Sequence, residues 1–180
     1  MDSAAVIQKI EQGSGELFHQ LSADLQSNLG TSHYRRLSEE ELLLRHSAII
    51  QGLCQWLSSH DDLALQKSAA DLGQRRFREG IPLGQVVLAL ILVERHVVQF
   101  LNTSLQEAAN SSGRAVTEFF QKYAYFTAKG YEVALAVSNR MAGEPADALA
   151  EGAPKKAAAR TTREGDMEIS RGGQVGEYGG

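Results

Sequence analysis

The side chains in this sequence with the strongest claim to chemistry are five histidines, one cysteine and a short run of arginines. The histidines are His19, His33, His46, His60 and His96. No two have the i, i+4 spacing of a helical zinc site, and no His-Glu-x-x-His occurs. A single histidine can still ligate haem in an all-helical fold. His96, within Val93-Glu94-Arg95-His96-Val97, is the best placed for that role because it lies on the most apolar segment. Glu94 and Arg95 mark the same turn as a polar stripe, so a hydrogen-bonded structural histidine is expected there, with haem or small-ligand binding at His96 as the alternative. Cys54 adjoins Leu53 and lies two residues from Trp56, at the core face, where cysteine behaves as a small hydrophobe. The chain has no Gly-x-Ser-x-Gly, phosphate-loop or dinucleotide signature, so no enzyme and no cofactor is expected. In Gln74-Arg75-Arg76-Phe77-Arg78, the cations Arg75, Arg76 and Arg78 are candidates for contact with a phosphate or an acidic partner. Arginines in the last turn of a helix are also favoured by its dipole without any ligand.

These residues need helices to position them. Apolar positions recur at three and four throughout residues 1–140, and no stretch alternates at period two. Val6, Ile10, Leu17, Leu21 and Leu25 form a first stripe, with a break or kink expected at Gly13-Ser14-Gly15. Ser38-Glu39-Glu40-Glu41 reads as a capping box with acids at the positive end of the dipole. The helix it opens carries Leu42, Ile49, Leu53 and Trp56 and should end near Ser58. Asp61-Asp62 starts the next, with Leu65, Ala69, Leu72 and Phe77, closed by a left-handed Gly80. Pro82 opens a fourth helix that is apolar around most of its circumference, including Leu88 and Leu92. A last helix runs from about Arg114 to Arg140. The expected fold is an all-α bundle of five to six helices. The excess apolar surface of the fourth helix, together with Tyr125 and Tyr131 on the last, suggests a homodimer with Leu88 and Leu92 facing the partner.

Composition separates the remainder of the chain. Of 180 residues with 17 glycines and three prolines, residues 141–180 hold eight of the glycines and two of the prolines, with few large apolar side chains. Such a segment is expected to be a disordered tail. The net charge of −4 gives no field that would gather nucleic acid. One cysteine excludes an intramolecular disulfide. The start carries no basic n-region or apolar h-region, and the longest apolar run, Val86 to Val93, is too short for a bilayer. A cytoplasmic protein that binds neither membrane nor nucleic acid is expected.

Two blocks carry a family likeness. Tyr34-Arg35-Arg36-Leu37-Ser38-Glu39-Glu40-Glu41-Leu42 is followed, one helix later, by Leu72-Gly73-Gln74-Arg75-Arg76-Phe77-Arg78-Glu79-Gly80-Ile81-Pro82-Leu83 and an apolar helix. Together they resemble the N-terminal sensor domain of RsbT co-antagonist proteins of the RsbR and RsbRD type, a module also found at the N-terminus of some bacterial histidine kinases. The resemblance covers roughly Val6 to Val137. Members often have Arg-Ala where this chain has Arg76-Phe77. The resemblance implies a globin-like helical input module without haem, dimeric, and coupled to a STAS protein or kinase in a stress or anti-sigma pathway. No STAS, kinase or helix-turn-helix output is legible after Arg140.

Overall fold

A computed structural model describes residues 3–104 and 109–143. It is an all-α bundle of five helices in these residues: α1 (Ser3–Ser27), α2 (Glu39–Ser59), α3 (Asp62–Arg78), α4 (Leu83–Ser104) and α5 (Ala109–Gly143). Two single 3-10 turns, Leu29–Thr31 and Tyr34–Arg36, link α1 to α2. The part of the expected tail from residue 144 onward lies outside the described residues, and α5 runs to Gly143 rather than ending near Arg140.

Local sequence accounts for most boundaries. The Ser38 side chain accepts from the Glu41 amide at 3.1 Å, as the capping box requires, but the Glu41 carboxylate turns to Arg45 on the next turn. Asp61 accepts from the amides of Leu63 and Ala64, both at 3.0 Å. At the end of α3 the Ile81 amide donates to the Arg76 carbonyl and the Gly80 amide to that of Phe77, at 3.1 and 2.9 Å. With Gly80 at φ +70°, this is a Schellman cap. The end of α2 had no such sequence signal, because His60 takes the left-handed position, at φ 51°, that glycine usually fills.

The expected break in α1 is absent: one helix runs through Gly13-Ser14-Gly15. Gly13 serves a contact instead, since a Cβ there would collide with the Phe100 ring of α4. The α4 helix is central. It packs against α1, α3, α5 and the first 3-10 turn, and buries Val86, Ala89, Leu90, Leu92, Val93, Val97 and Leu101. Over Leu83–Thr103 its mean hydropathy of 1.5 would suit a membrane span by length and composition, yet its apolar surface has protein neighbours on several sides.

The closest helix pair is α3 with α5. A Cβ at Gly73 would strike the backbone of Thr127 and Tyr131, and one at Gly130 the backbone of Ala70. Ala69 and Thr127, both fully buried, complete this small-residue contact. Gly73→Ala should therefore lower stability by about 3 kcal/mol, the upper end for overpacking, because backbone cannot rotate away. Gly15 faces open space in α1. Gly15→Ala should raise stability by about 0.5–1 kcal/mol. Urea titrations followed by circular dichroism compare the two; equal effects would mean that α3 and α5 do not meet at the backbone.

Candidate functional site

Titratable side chains converge where α2, α3, α4 and the second 3-10 turn meet. Leu42, His46, Ile49 and Leu53 occupy i, i+4, i+7 and i+11, so His46 fills a core position of α2, only 2% exposed. Leu65, Ala69, Leu72 and Arg76 repeat the pattern on α3 and bury Arg76. Tyr34 is buried beside them and lines the same cavity. The Schellman cap then turns Glu79 back toward the cluster. Arg76 Nη1 donates to both Glu79 carboxylate oxygens at 2.9 Å, and Arg45 Nη1 donates to Glu79 Oε2 at 2.9 Å. The second Arg45 nitrogen, Nη2, pairs with Glu41. Two guanidiniums are thus balanced by two carboxylates, which is what lets Arg76 remain charged inside the bundle.

His46 has no such compensation. Its Nδ1 is buried without a hydrogen-bond partner. Burial, then the positive charges of Arg76 and Arg45, pull its pKa down to about 4. The ring is therefore neutral at pH 7. Burial likewise raises the pKa of the Tyr34 hydroxyl. His46, Arg76 and Arg45 line a cavity of about 20 Å³ whose opposite wall is apolar, from Val86, Ala89, Leu90 and Val93 of α4.

The other candidates fall differently. His96 Nε2 lies 2.9 Å from Asp24 Oδ2 of α1, an oxygen that Arg95 also contacts. One ring nitrogen of His96 is thus engaged with a carboxylate, the hydrogen-bonded structural arrangement expected for it. Beside the 20 Å³ cavity, a cleft lined by Trp56, Phe119 and Tyr123 measures about 50 Å³. Both are far below the roughly 300–1,000 Å³ of a ligand pocket, whereas two shallow surface clefts of about 470 and 520 Å³ are lined by Leu63, Lys122 and Tyr125 and by Ile91, Arg95 and Val98. Cys54 is half-buried, with its thiol pushed up to about 11 by burial and by Glu11, which makes it a poor nucleophile at neutral pH. Among the described residues no three His, Cys, Asp or Glu side chains are grouped to hold a metal.

Of the arginine candidates, Arg75 and Arg78 are exposed and Arg78 donates to Gln74 at 3.1 Å, while Arg76 is not available to a partner because it is buried on Glu79. Leu92, expected to face a partner, is a core residue at 2% exposure. Leu88 is half-buried, with its Cδ2 over Gly30. Tyr131 does not reach outward either: its hydroxyl donates to the Ile81 carbonyl at 3.0 Å and its ring meets Phe77 edge-on. Exposed apolar side chains are scattered over the first 3-10 turn, α2, α3 and α4 (Leu29, Leu44, Leu63 and Ile91) and are most numerous on α5, where Tyr125 is exposed as expected. After Tyr131 every described side chain to Ala142 is exposed except half-buried Ala134. Val133 (56% exposed), Val137 (48%) and Met141 (76%) form an i, i+4, i+8 stripe on this projecting end.

Neither pair spacing nor a strongly apolar flanking run marks His46 in the sequence. The available signal was its place in the gap between Leu42 and Ile49 of a core stripe. No protein-family model, curated protein or solved structure matches the chain.

The depressed pKa of His46 fixes a pH dependence. Below its ordinary value of 6.5 the unfolded chain takes up a proton that the folded chain refuses until about pH 4. Stability conferred by neutral His46 is complete above pH 6.5 and is lost as the pH falls through that window, by at most about 3 kcal/mol. The urea midpoint should fall from pH 7 to pH 4.5, and His46→Gln should flatten that decline relative to wild type. Parallel pH profiles for the two proteins would contradict the assignment.

Proposed function

We propose that this chain is a non-enzymatic signalling input module that dimerises and acts by contact with a regulatory protein. The observation that carries this reading is the projecting end of α5. Glu132–Gly143 would extend roughly 18 Å past the bundle, with Val133, Val137 and Met141 on one stripe that no other described residue covers. Isolated exposed hydrophobes are ordinary, but a regular stripe on a free helix end is a surface for another helix. A second copy of the same end is the simplest partner, because a twofold interface uses one patch twice. The likeness of the Tyr34–Leu42 and Leu72–Leu83 blocks to RsbRD-type sensor domains supports the same reading. It extends it to a cytoplasmic stress or anti-sigma pathway with a STAS protein or a kinase as the contacted regulator, and with no role for nucleic acid. The cavities of about 20 and 50 Å³ are too small to enclose haem, so the alternative haem reading has no enclosed pocket to support it.

Light scattering on the whole chain tests the dimer. The wild type should have twice the single-chain mass of 19.6 kDa at micromolar concentration. Val137→Glu should yield a monomer with unchanged far-ultraviolet circular dichroism, whereas Leu92→Glu should unfold the chain, since a buried carboxylate has no partner in that core. A wild-type mass of one chain overturns the dimer.

A further inference from the structure

We infer that the cavity bounded by Tyr34, Arg45, His46 and Arg76 binds one small monovalent anion of the halide class, taken up together with a proton on His46. This inference is independent of the proposed dimer. Three observations converge on it.

The first is size. A cavity of about 20 Å³ has room for one small particle of water or halide size. The second is a polar group left over: His46 is 98% buried by its 2% exposure, lines this cavity, and has an Nδ1 without a partner. The third is charge. The groups around His46 are Arg45 and Glu41 from α2, Arg76 and its Glu79 cap from α3, and the Tyr34 hydroxyl; α4 contributes only apolar side chains to the cavity. Arg45 and Arg76 are balanced by Glu41 and Glu79 while His46 is neutral. Protonating His46 leaves one uncompensated positive charge in a buried site, which a single monovalent anion offsets and a divalent one would overshoot. The chemical step places a solvent proton on an imidazole nitrogen and seats the anion; no other bond forms or breaks.

The test uses the whole chain with ¹³C-labelled histidine. The ring resonances are followed from pH 7.5 to pH 4 in sodium bromide, sodium chloride and sodium methanesulfonate at equal ionic strength. The His46 resonance is identified by its loss in His46→Gln, or by assignment of the wild type if that variant does not fold. The half-titration pH of His46 should be higher in bromide than in methanesulfonate, rising by about one unit for each tenfold increase in bromide above its Kd. Exposed His19 serves as the control for general screening. If the chain unfolds before His46 titrates, the unfolding pH should be lower in bromide than in methanesulfonate. Identical values in the two salts, or a shift at His19 equal to that at His46, overturn the proposal.

Discussion

The backbone contact between α3 and α5 sets the rest of the bundle. With no Cβ on Gly73 or Gly130, the two helices approach more closely than side-chain packing would allow, and the consequences follow in both directions along the chain. Three residues after Gly73, Arg76 is carried to the inner side of α3, and the chain then turns at Gly80. One residue after Gly130, Tyr131 is placed to donate to the Ile81 carbonyl on the far side of that turn. The corner that brings Glu79 to the two arginines is thus fastened to α5, the same helix whose free end emerges just beyond. Bulk at either glycine would displace the candidate site and the projecting stripe together.

The buried cluster illustrates how a small core holds charge. Arg76 has almost no access to water, so its guanidinium must find its partner locally, and the cap residue Glu79 supplies it from the same helix end. Arg45 completes the arrangement from α2 and ties that helix to the α3 corner. His46 sits between two cations with no acid of its own and is therefore held neutral. A core that wanted only stability would place leucine there, since an apolar side chain would leave no polar atom unsatisfied. The orphaned nitrogen is the local inconsistency on which the proposed proton-coupled anion site rests.

The two proposals concern separate regions. The anion site lies among α2, α3 and α4, and the stripe lies on α5 after Tyr131. They meet at the α3–α4 corner, because Tyr131 and Glu79 brace its two sides.

The helices themselves were legible in the sequence, because their determinants are local. The Ser38 and Asp61 caps, the Gly80 turn and the spacing of apolar residues involve groups only a few positions apart, so the order and nearly all the limits of α2 to α4 could be read directly. The same reading misjudged Gly13-Ser14-Gly15, Leu92 and Tyr131. Glycine weakens an isolated helix but is required where another helix presses close, and Phe100 lies 87 positions away in the chain from Gly13. An apolar helix looks alike whether its far side meets solvent, a partner or its own bundle; only the placement of α1, α3 and α5 around α4 decided that Leu92 is core. The candidate site was half visible, since His46 and Arg76 stand at vacant positions of apolar stripes. The Arg76–Glu79 pair is local, three positions apart at one helix end, but the reach of Arg45 to Glu79 and the cavity shared by His46, Arg45 and Arg76 were decided by the tertiary structure alone, because those contacts depend on distances between helices that sequence spacing within one helix does not contain.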